Sequence, residues 1–328
     1  MAPLIAVPLF LVSLAVTLGA AATFARRLDR LGARFGLPEV LIGLLTAMAA
    51  DGPELSSALV ALFKGAHEAS VGVIVGSSAF NLAAMVGLSA LLAGGIRVRR
   101  DTLLLEGGVA LAATGIVIAL LLSALPAILA AALLALVVVP YLARVVGGPR
   151  LASRLHAPWL VGRAIVDKGD HHPAAHREHH FATHRQLSLM GLDVALIVLG
   201  SVGMVQAALS LGDRWGIRPA LIGVLVLAPL TSFPNALTGV RLGLAKRGEA
   251  LLSEALNSNT INLVAGIAAP ALFVTLAAHS TTDRIDLALL AAITVATLTL
   301  LATRHGMRRL GGATVLALYI GFVVLQLI

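Results

Sequence analysis

Two stretches of the chain, 41–92 and 221–272, write one pattern twice, and each sets polar residues inside apolar sequence. The first reads LIGLLTAMAADGPEL and then VGVIVGSSAFNLAAMVGLSALL. The second reads LIGVLVLAPLTSFPNAL and then LLSEALNSNTINLVAGIAAPALF. Pro53 matches Pro234 and Asn81 matches Asn262, both at an offset of 181 residues. A chain written this way folds into two related halves, and in each half a proline interrupts a long apolar run.

The solvent for those halves follows from charge. Only 12% of the 328 residues are charged and 59% are hydrophobic, against about 25% charged in a soluble domain. A chain dissolved in lipid can satisfy its backbone only as helices or a closed barrel. The apolar runs are continuous and lack period-2 alternation, so helices are expected. Read as spans, the runs fall near 3–24, 37–62, 69–95, 102–122, 126–146, 188–211, 219–244, 250–278, 286–303 and 313–328. The expected fold is an all-α membrane protein with about ten transmembrane helices in two inverted five-helix repeats. Residues 1–146 form the first repeat, 147–187 a His-rich loop, and 188–328 the second repeat. Five spans per half is an odd number, so the second half enters the membrane from the opposite side, and the two polar centres can meet near the midplane.

The net charge of +8 does not point to nucleic acid, because Lys and Arg lie in short clusters between apolar runs. One set of loops holds Arg26, Arg27, Arg30 and Arg34, then Arg97, Arg99 and Arg100, the central loop, Lys246 with Arg247, and Arg304, Arg308 and Arg309. The alternate loops hold only Lys64, Arg214, Arg218 and Arg284. The positive-inside rule then places the rich side and the His-rich loop in the cytoplasm and both termini outside. Arginines follow the first apolar run rather than preceding it, so that run is expected to be a membrane helix and not a signal peptide. Heavy Arg and Ala usage with few Lys suggests a GC-rich prokaryotic genome, and the expected location is the cell (inner) membrane. The chain has no cysteine, which excludes disulfides, iron–sulfur centres and thiolate metal sites.

A duplicated pair of Pro-interrupted apolar segments points to the substrate site of a secondary transporter. Asp51 and Glu54 flank Gly52-Pro53 in the first segment. A carboxylate at the bilayer centre costs about 2.5–3.5 kcal/mol, so two within four residues are not kept for packing. Pro53 frees the carbonyl of Ala49, and Pro234 frees that of Leu230. Thr231, Ser232 and Asn235 surround the second proline with neutral oxygens. The following segments add Ser77 and Ser78 beside Asn81, and Ser258 and Asn259 beside Asn262, at helical spacing of three and four. Gly43, Gly76, Gly87, Gly223 and Gly266 supply the small residues that let helices approach closely. Acids and neutral oxygens in this number suit a hard cation such as calcium, which takes about 6–8 oxygens.

The pattern resembles the α-repeats of the cation/calcium exchanger superfamily. Its half-motifs, G-T-S-x-P-E and G-S-N/x-x-x-N, are similar to Ala49-Ala50-Asp51-Gly52-Pro53-Glu54 with Gly76-Ser77-Ser78-Ala79-Phe80-Asn81. In the second repeat they match Leu230-Thr231-Ser232-Phe233-Pro234-Asn235 with Asn257-Ser258-Asn259-Thr260-Ile261-Asn262. The resemblance implies antiport by alternating access, with Ca2+, Na+ or H+ held between the second, third, seventh and eighth helices. It carries ligand roles to Glu54, Ser77, Asn81, Thr231, Ser232, Ser258 and Asn262. Here Ala50-Asp51 replaces Thr-Ser, and Asn235 replaces the acid after the second proline, so both acids lie in one repeat. Two negative charges are matched by one divalent cation, two monovalent cations or two protons. The alternatives are a Na+/H+ exchanger of the same fold and a non-transporting scaffold or metal sensor. No cofactor is implied, and the expected partners are inorganic cations and the lipid bilayer.

Other features carry less. His172, His176, His180 and His184 recur every four residues in the central loop, beside His171 and His179; they suit metal binding or pH sensing, or else a solvated linker. Glu39, Glu106, Asp193 and Glu254 fall near predicted helix starts, where acids stabilise the helix dipole, and receive no site role. His67-Glu68 has no second histidine four residues on, and there is no P-loop, so neither a zinc protease nor ATP drive is indicated.

Overall fold

The computed structural model describes residues 2–35, 48–154, 180–278, 280–304 and 306–327. Within them lie ten helices of twelve residues or more: α1 (Pro3–Arg34), α2 (Gly52–Phe63), α3 (His67–Ala93), α4 (Arg100–Leu121), α5 (Ala127–Arg154), α6 (His180–Trp215), α7 (Pro219–Leu244), α8 (Gly248–Leu263), α9 (Thr281–Leu301) and α10 (Arg309–Leu327). Eight are long and apolar enough to cross a membrane; α2 is a shorter apolar helix. The protein is thus an all-α membrane protein.

Helix boundaries differ from the sequence expectation in ways that have local causes. The second predicted span, 37–62, does not run through its proline. Asp51 sits in a turn and α2 begins at Gly52, with Pro53 in the first helical turn, where its missing N–H costs nothing. Gly43 and Glu39 lie outside the described residues. Helices α5 and α6 run past 146 and start before 188, into the predicted loop, because an apolar run marks the edge of hydrocarbon and not the end of a helix. His171, His172, His176 and His179 lie outside the described residues. Helix α9 starts at Thr281 rather than near 286, because Ser280 and Asp283 form a capping box: Asp283 N donates to Ser280 Oγ (3.0 Å) and Ser280 N to Asp283 Oδ2 (2.9 Å). Helix α3 stops at Ala93, where Gly94 takes a left-handed conformation (φ 82°). The next two residues, Gly95–Ile96, pair antiparallel with Met307–Arg308, a ribbon with no signal in the apolar pattern.

Contacts between helices obey a two-fold exchange. Helix α3 packs on α2, α7, α8, α9 and α10, and α8 with its continuation Val264–Ala268 packs on α7, α2, α3, α4 and α5. Exchanging α1 with α6, α2 with α7, and so on through α5 with α10 turns one list into the other. Helices α1 and α6 lie along each other. They are joined by Arg27 Nε to Asp193 Oδ2 (3.3 Å) and by Thr23 Oγ1, which donates to Asp193 Oδ1 (2.9 Å). Asp193 is therefore an inter-helix partner in the middle of α6, not a first-turn acid.

Lipid offers no hydrophobic drive for helix association, so close packing and polar bonds must hold the bundle. Ile74, Leu82 and Met85 of α3 and Leu251, Leu256 and Leu263 of α8 are fully buried between helices. The α3–α7 crossing is tight enough that a Cβ on Gly76 would stand 2.9 Å from both Val224 Cα and Ala228 Cβ. Leu4, Ile128, Leu136 and Leu199 are exposed on the outer surface, as a lipid-facing rim requires.

Both central helices lose α-helical register next to their asparagines. A π-helical segment occupies Asn81–Leu88 in α3, and another, Val264–Ala268, continues α8 two residues past Asn262. A third lies at Gly223–Leu227 in α7. Such widened turns shift side chains around the helix and frequently mark functional positions.

Candidate functional site

Asp51 and Glu54 are completely buried. Asp51 occupies the cap position of α2, yet its side chain makes no cap bond. Its Oδ1 instead accepts from Ser258 Oγ of α8 (2.6 Å) and from Asn235 Nδ2 of α7 (3.0 Å). Asn235 Nδ2 also lies 3.2 Å from Glu54 Oε1. Ser258 Oγ in turn accepts from Asn81 Nδ2 of α3 (2.9 Å). One hydrogen-bonded chain therefore links α2, α3, α7 and α8, and the acids of the first repeat are held by an amide and a hydroxyl of the second.

The prolines act differently in the two repeats. Pro53 opens α2, whereas Pro234 lies inside a continuous α7. Their carbonyls are handled alike: Ser57 Oγ donates to Pro53 O (2.6 Å) and Thr238 Oγ1 to Pro234 O (3.1 Å). Thr231 spends its hydroxyl proton on its own helix, on Leu227 O (2.8 Å) and Ala228 O (3.2 Å), and its lone pairs stay available. Ser232 stands beside Glu54 without a hydrogen bond of normal geometry.

Several oxygens in this layer are buried and have no hydrogen-bond partner: Asp51 Oδ2, Glu54 Oε2, the hydroxyls of Ser77, Ser78 and Ser232, Asn81 Oδ1 and Asn262 Oδ1. Asn262 Nδ2 is also unpartnered. Asn259 departs from the expected group, since its Nδ2 donates to Thr114 Oγ1 on α4 (3.3 Å), a quarter-turn away from Ser258. Among the described residues neither carboxylate has an ion pair. Two adjacent buried carboxylates repel each other, and neutral donors compensate them only in part. A cation or protons complete the balance. Among the described residues no group of three His, Cys, Asp or Glu is assembled; the oxygens gathered here, two carboxylates with neutral hydroxyls and amides, are the donor types of a hard ion.

Three features escaped the sequence reading. Glu254 of α8 lies one turn before Ser258 and within electrostatic reach of Asp51; helical spacing of four from Ser258 was its signal. Glu106 is 6% exposed and accepts from Ser253 Oγ at both carboxylate oxygens (2.6 and 2.7 Å). Asp286 is buried against Gln326, which donates to it across α9 and α10. Glu106 and Asp286 stand nearly at the repeat offset; the sequence pattern makes Glu106 look like a first-turn acid and gives Asp286 no reading.

Two halves exchanged by a pseudo-two-fold, with acids and orphaned oxygens buried at their crossing, define a membrane transport protein of the repeat type. The sequence profile of the sodium/calcium exchanger protein family matches residues 5–159 and 186–328. The chain belongs to that family and is a membrane cation exchanger. The fold is shared with the structure of native YfkE (TM-score 0.66, 15% identity, 97% of this chain and 91% of that one). It is also shared with the sodium-calcium exchanger NCX_Mj soaked with zero Na+ and Ca2+ (TM-score 0.62, 20% identity, 98% and 99%). The same exchanger soaked with 10 mM Na+ and zero Ca2+ matches at TM-score 0.63 and 21% identity, with coverage of 98% and 99%. A comparison with curated protein sequences gives no significant match.

Proposed function

We propose that the protein is a secondary antiporter that exchanges Ca2+ for Na+ or H+ by alternating access. The observation that carries this reading is the burial of Asp51 and Glu54 together, in bonding reach of Asn235 and Ser258 from the opposite repeat. The ligand set we assign is Asp51, Glu54, Ser77, Ser78, Asn81, Thr231, Ser232, Asn235, Ser258 and Asn262. Asn259 joins it only if its side chain leaves Thr114. Calcium entry displaces the donors now on the carboxylates; Asn235 then turns its amide to present Oδ1, a rotation that leaves its position unchanged. Because the two halves exchange under a two-fold, each has a counterpart with which to swap conformation, which opens the site to either side in turn.

A second reading, a Na+/H+ exchanger of the same fold, is favoured by Asn235 standing where an acid would add a third charge. The orientation we assign puts both termini outside and residues 147–187 in the cytoplasm of a prokaryotic inner membrane, from the loop charges. We assign 1–146 and 188–328 to the two repeats. The test is flux into proteoliposomes with an imposed sodium or proton gradient. Calcium movement driven by either gradient supports antiport of calcium. Sodium–proton exchange without calcium movement supports the second reading, and no flux under any gradient leaves a scaffold or sensor.

A further inference from the structure

Away from the central acids, helix α8 carries a second polar stripe. Glu249, Ser253 and Asn257 recur every four residues and so share one face. That face meets α4 and α5. At its outer end Glu249 Oε2 accepts from Thr102 Oγ1 (3.2 Å) and Oε1 accepts from Arg99 N (3.2 Å), with the Glu249 side chain 30% exposed. One turn inward, Ser253 bonds both oxygens of Glu106. One turn further, Asn257 Oδ1 accepts from Tyr141 OH of α5 (2.6 Å). Asn257 adjoins Ser258, which grips Asp51.

Glu106 is thus a buried acid that the exchange site does not use. Among the described residues the charged side chain acting on it is Glu249, whose own partner is Arg99 (Nε to Oε1, 3.9 Å). From α5 it faces Tyr141, and beside it on α9 stands the apolar Leu298, over Gly107. A lone buried carboxylate held only by neutral donors needs a compensating positive charge. The oxygens within reach, one carboxylate, one serine and the nearby amide and phenol, are too few for calcium and suit a proton.

We propose that Glu106 is a second ion site, which takes a proton from solution at the Arg99–Glu249 face and so sets how α8 is held against α4. The proton comes from water through the Glu249 edge and binds one carboxylate oxygen, with no other bond made or broken covalently. Ionised Glu106 accepts from Ser253 at both oxygens. Protonated Glu106 becomes a donor at one of them, so the Ser253 hydroxyl must reorient, on the helix that carries Ser258 and Asn262. The state of Glu106 therefore reaches the exchange site through α8. This proposal is independent of which cation the central site carries.

The test is infrared difference spectroscopy of the full-length protein in lipid during a pH titration, with Glu106→Gln and Glu106→Asp beside the unaltered chain. A protonated-carboxyl C=O band that titrates in the unaltered protein, is lost in Glu106→Gln and is shifted but present in Glu106→Asp supports the proposal. A Glu106→Gln spectrum identical to that of the unaltered protein overturns it, whether or not the protein transports calcium. Cation flux against pH in proteoliposomes gives the second readout: a displaced pH profile in Glu106→Gln, restored in Glu106→Asp, is expected, and an unchanged profile in Glu106→Gln contradicts the proposal.

Discussion

Glu54→Gln separates the cost of the site from its use. The substitution keeps the shape of the side chain and its carbonyl oxygen, so the contact from Asn235 Nδ2, now 3.2 Å from Glu54 Oε1, can persist. What is removed is one of two neighbouring buried negative charges. For a divalent ion about 2.4 Å from the lost charge, an effective dielectric near 20 gives an attraction of about 14 kcal/mol. The amide dipole and the easier desolvation of a neutral group offset most of this. If only a third survives, about 4.6 kcal/mol is lost, and calcium binding weakens on the order of a few thousandfold. Stability in the absence of cations moves the other way, because the mutual repulsion of two buried carboxylates is relieved. The assay is a calcium isotherm on purified protein beside thermal unfolding with and without calcium. The expected outcome is a transition at or above that of the unaltered protein without calcium, with no shift when calcium is added. A variant that binds calcium within tenfold of the unaltered protein would refute the reasoning, as would one that unfolds far earlier without any cation.

Further outcomes follow from the same geometry. Ser258→Ala removes an oxygen of the proposed calcium shell, now bonded to Asp51 and Asn81, and should weaken calcium binding by about tenfold or more, since a polar contact to a charged group is worth about 1.5–3 kcal/mol. Asn259→Ala, one residue on but turned to Thr114, should leave the isotherm unchanged. Arg27→Gln strands the nearly buried Asp193 with Thr23 alone and should lower unfolding stability in detergent by about 2–4 kcal/mol, most of it recovered by adding Asp193→Asn. Gly76→Val forces atoms into Val224 and Ala228 at the α3–α7 crossing; a loss of about 1–3 kcal/mol or more is expected in the same assay, and an unshifted transition would show that the helices can part there.

The repeat and the core of the site were legible because they rest on residue type at fixed spacing. A proline, an acid beside it and an asparagine at one offset locate α2, α3, α7 and α8, and helical spacing places Ser77 and Ser258 near the asparagines. What was not legible depends on rotation about the helix axis and on polar extensions. The shift from α to π geometry after Asn81 and near Asn262 has no signature in apolar periodicity. Asn259 faces α4 because neighbours on a helix differ by about 100°, and sequence alone does not say which of Ser258 and Asn259 faces inward. Glu106 and Asp193 look like dipole acids when the limits of the apolar runs stand for helix limits. Helix α6 begins well before Asp193, and Glu106 turns inward to Ser253. Tertiary partners decide such cases, and those partners lie about 150 residues away in sequence for Glu106 and Ser253.

The central claim is that one cation is held by both acids of the first repeat together with oxygens of the second. Anomalous diffraction at a wavelength sensitive to calcium, from calcium-loaded crystals, tests it most directly. The account predicts a single peak within about 2.3–2.6 Å of oxygens from both Asp51 and Glu54, with Ser258 or Asn235 completing the shell. A calcium peak that touches neither carboxylate, or saturating calcium that produces no peak between α2 and α7, would contradict it.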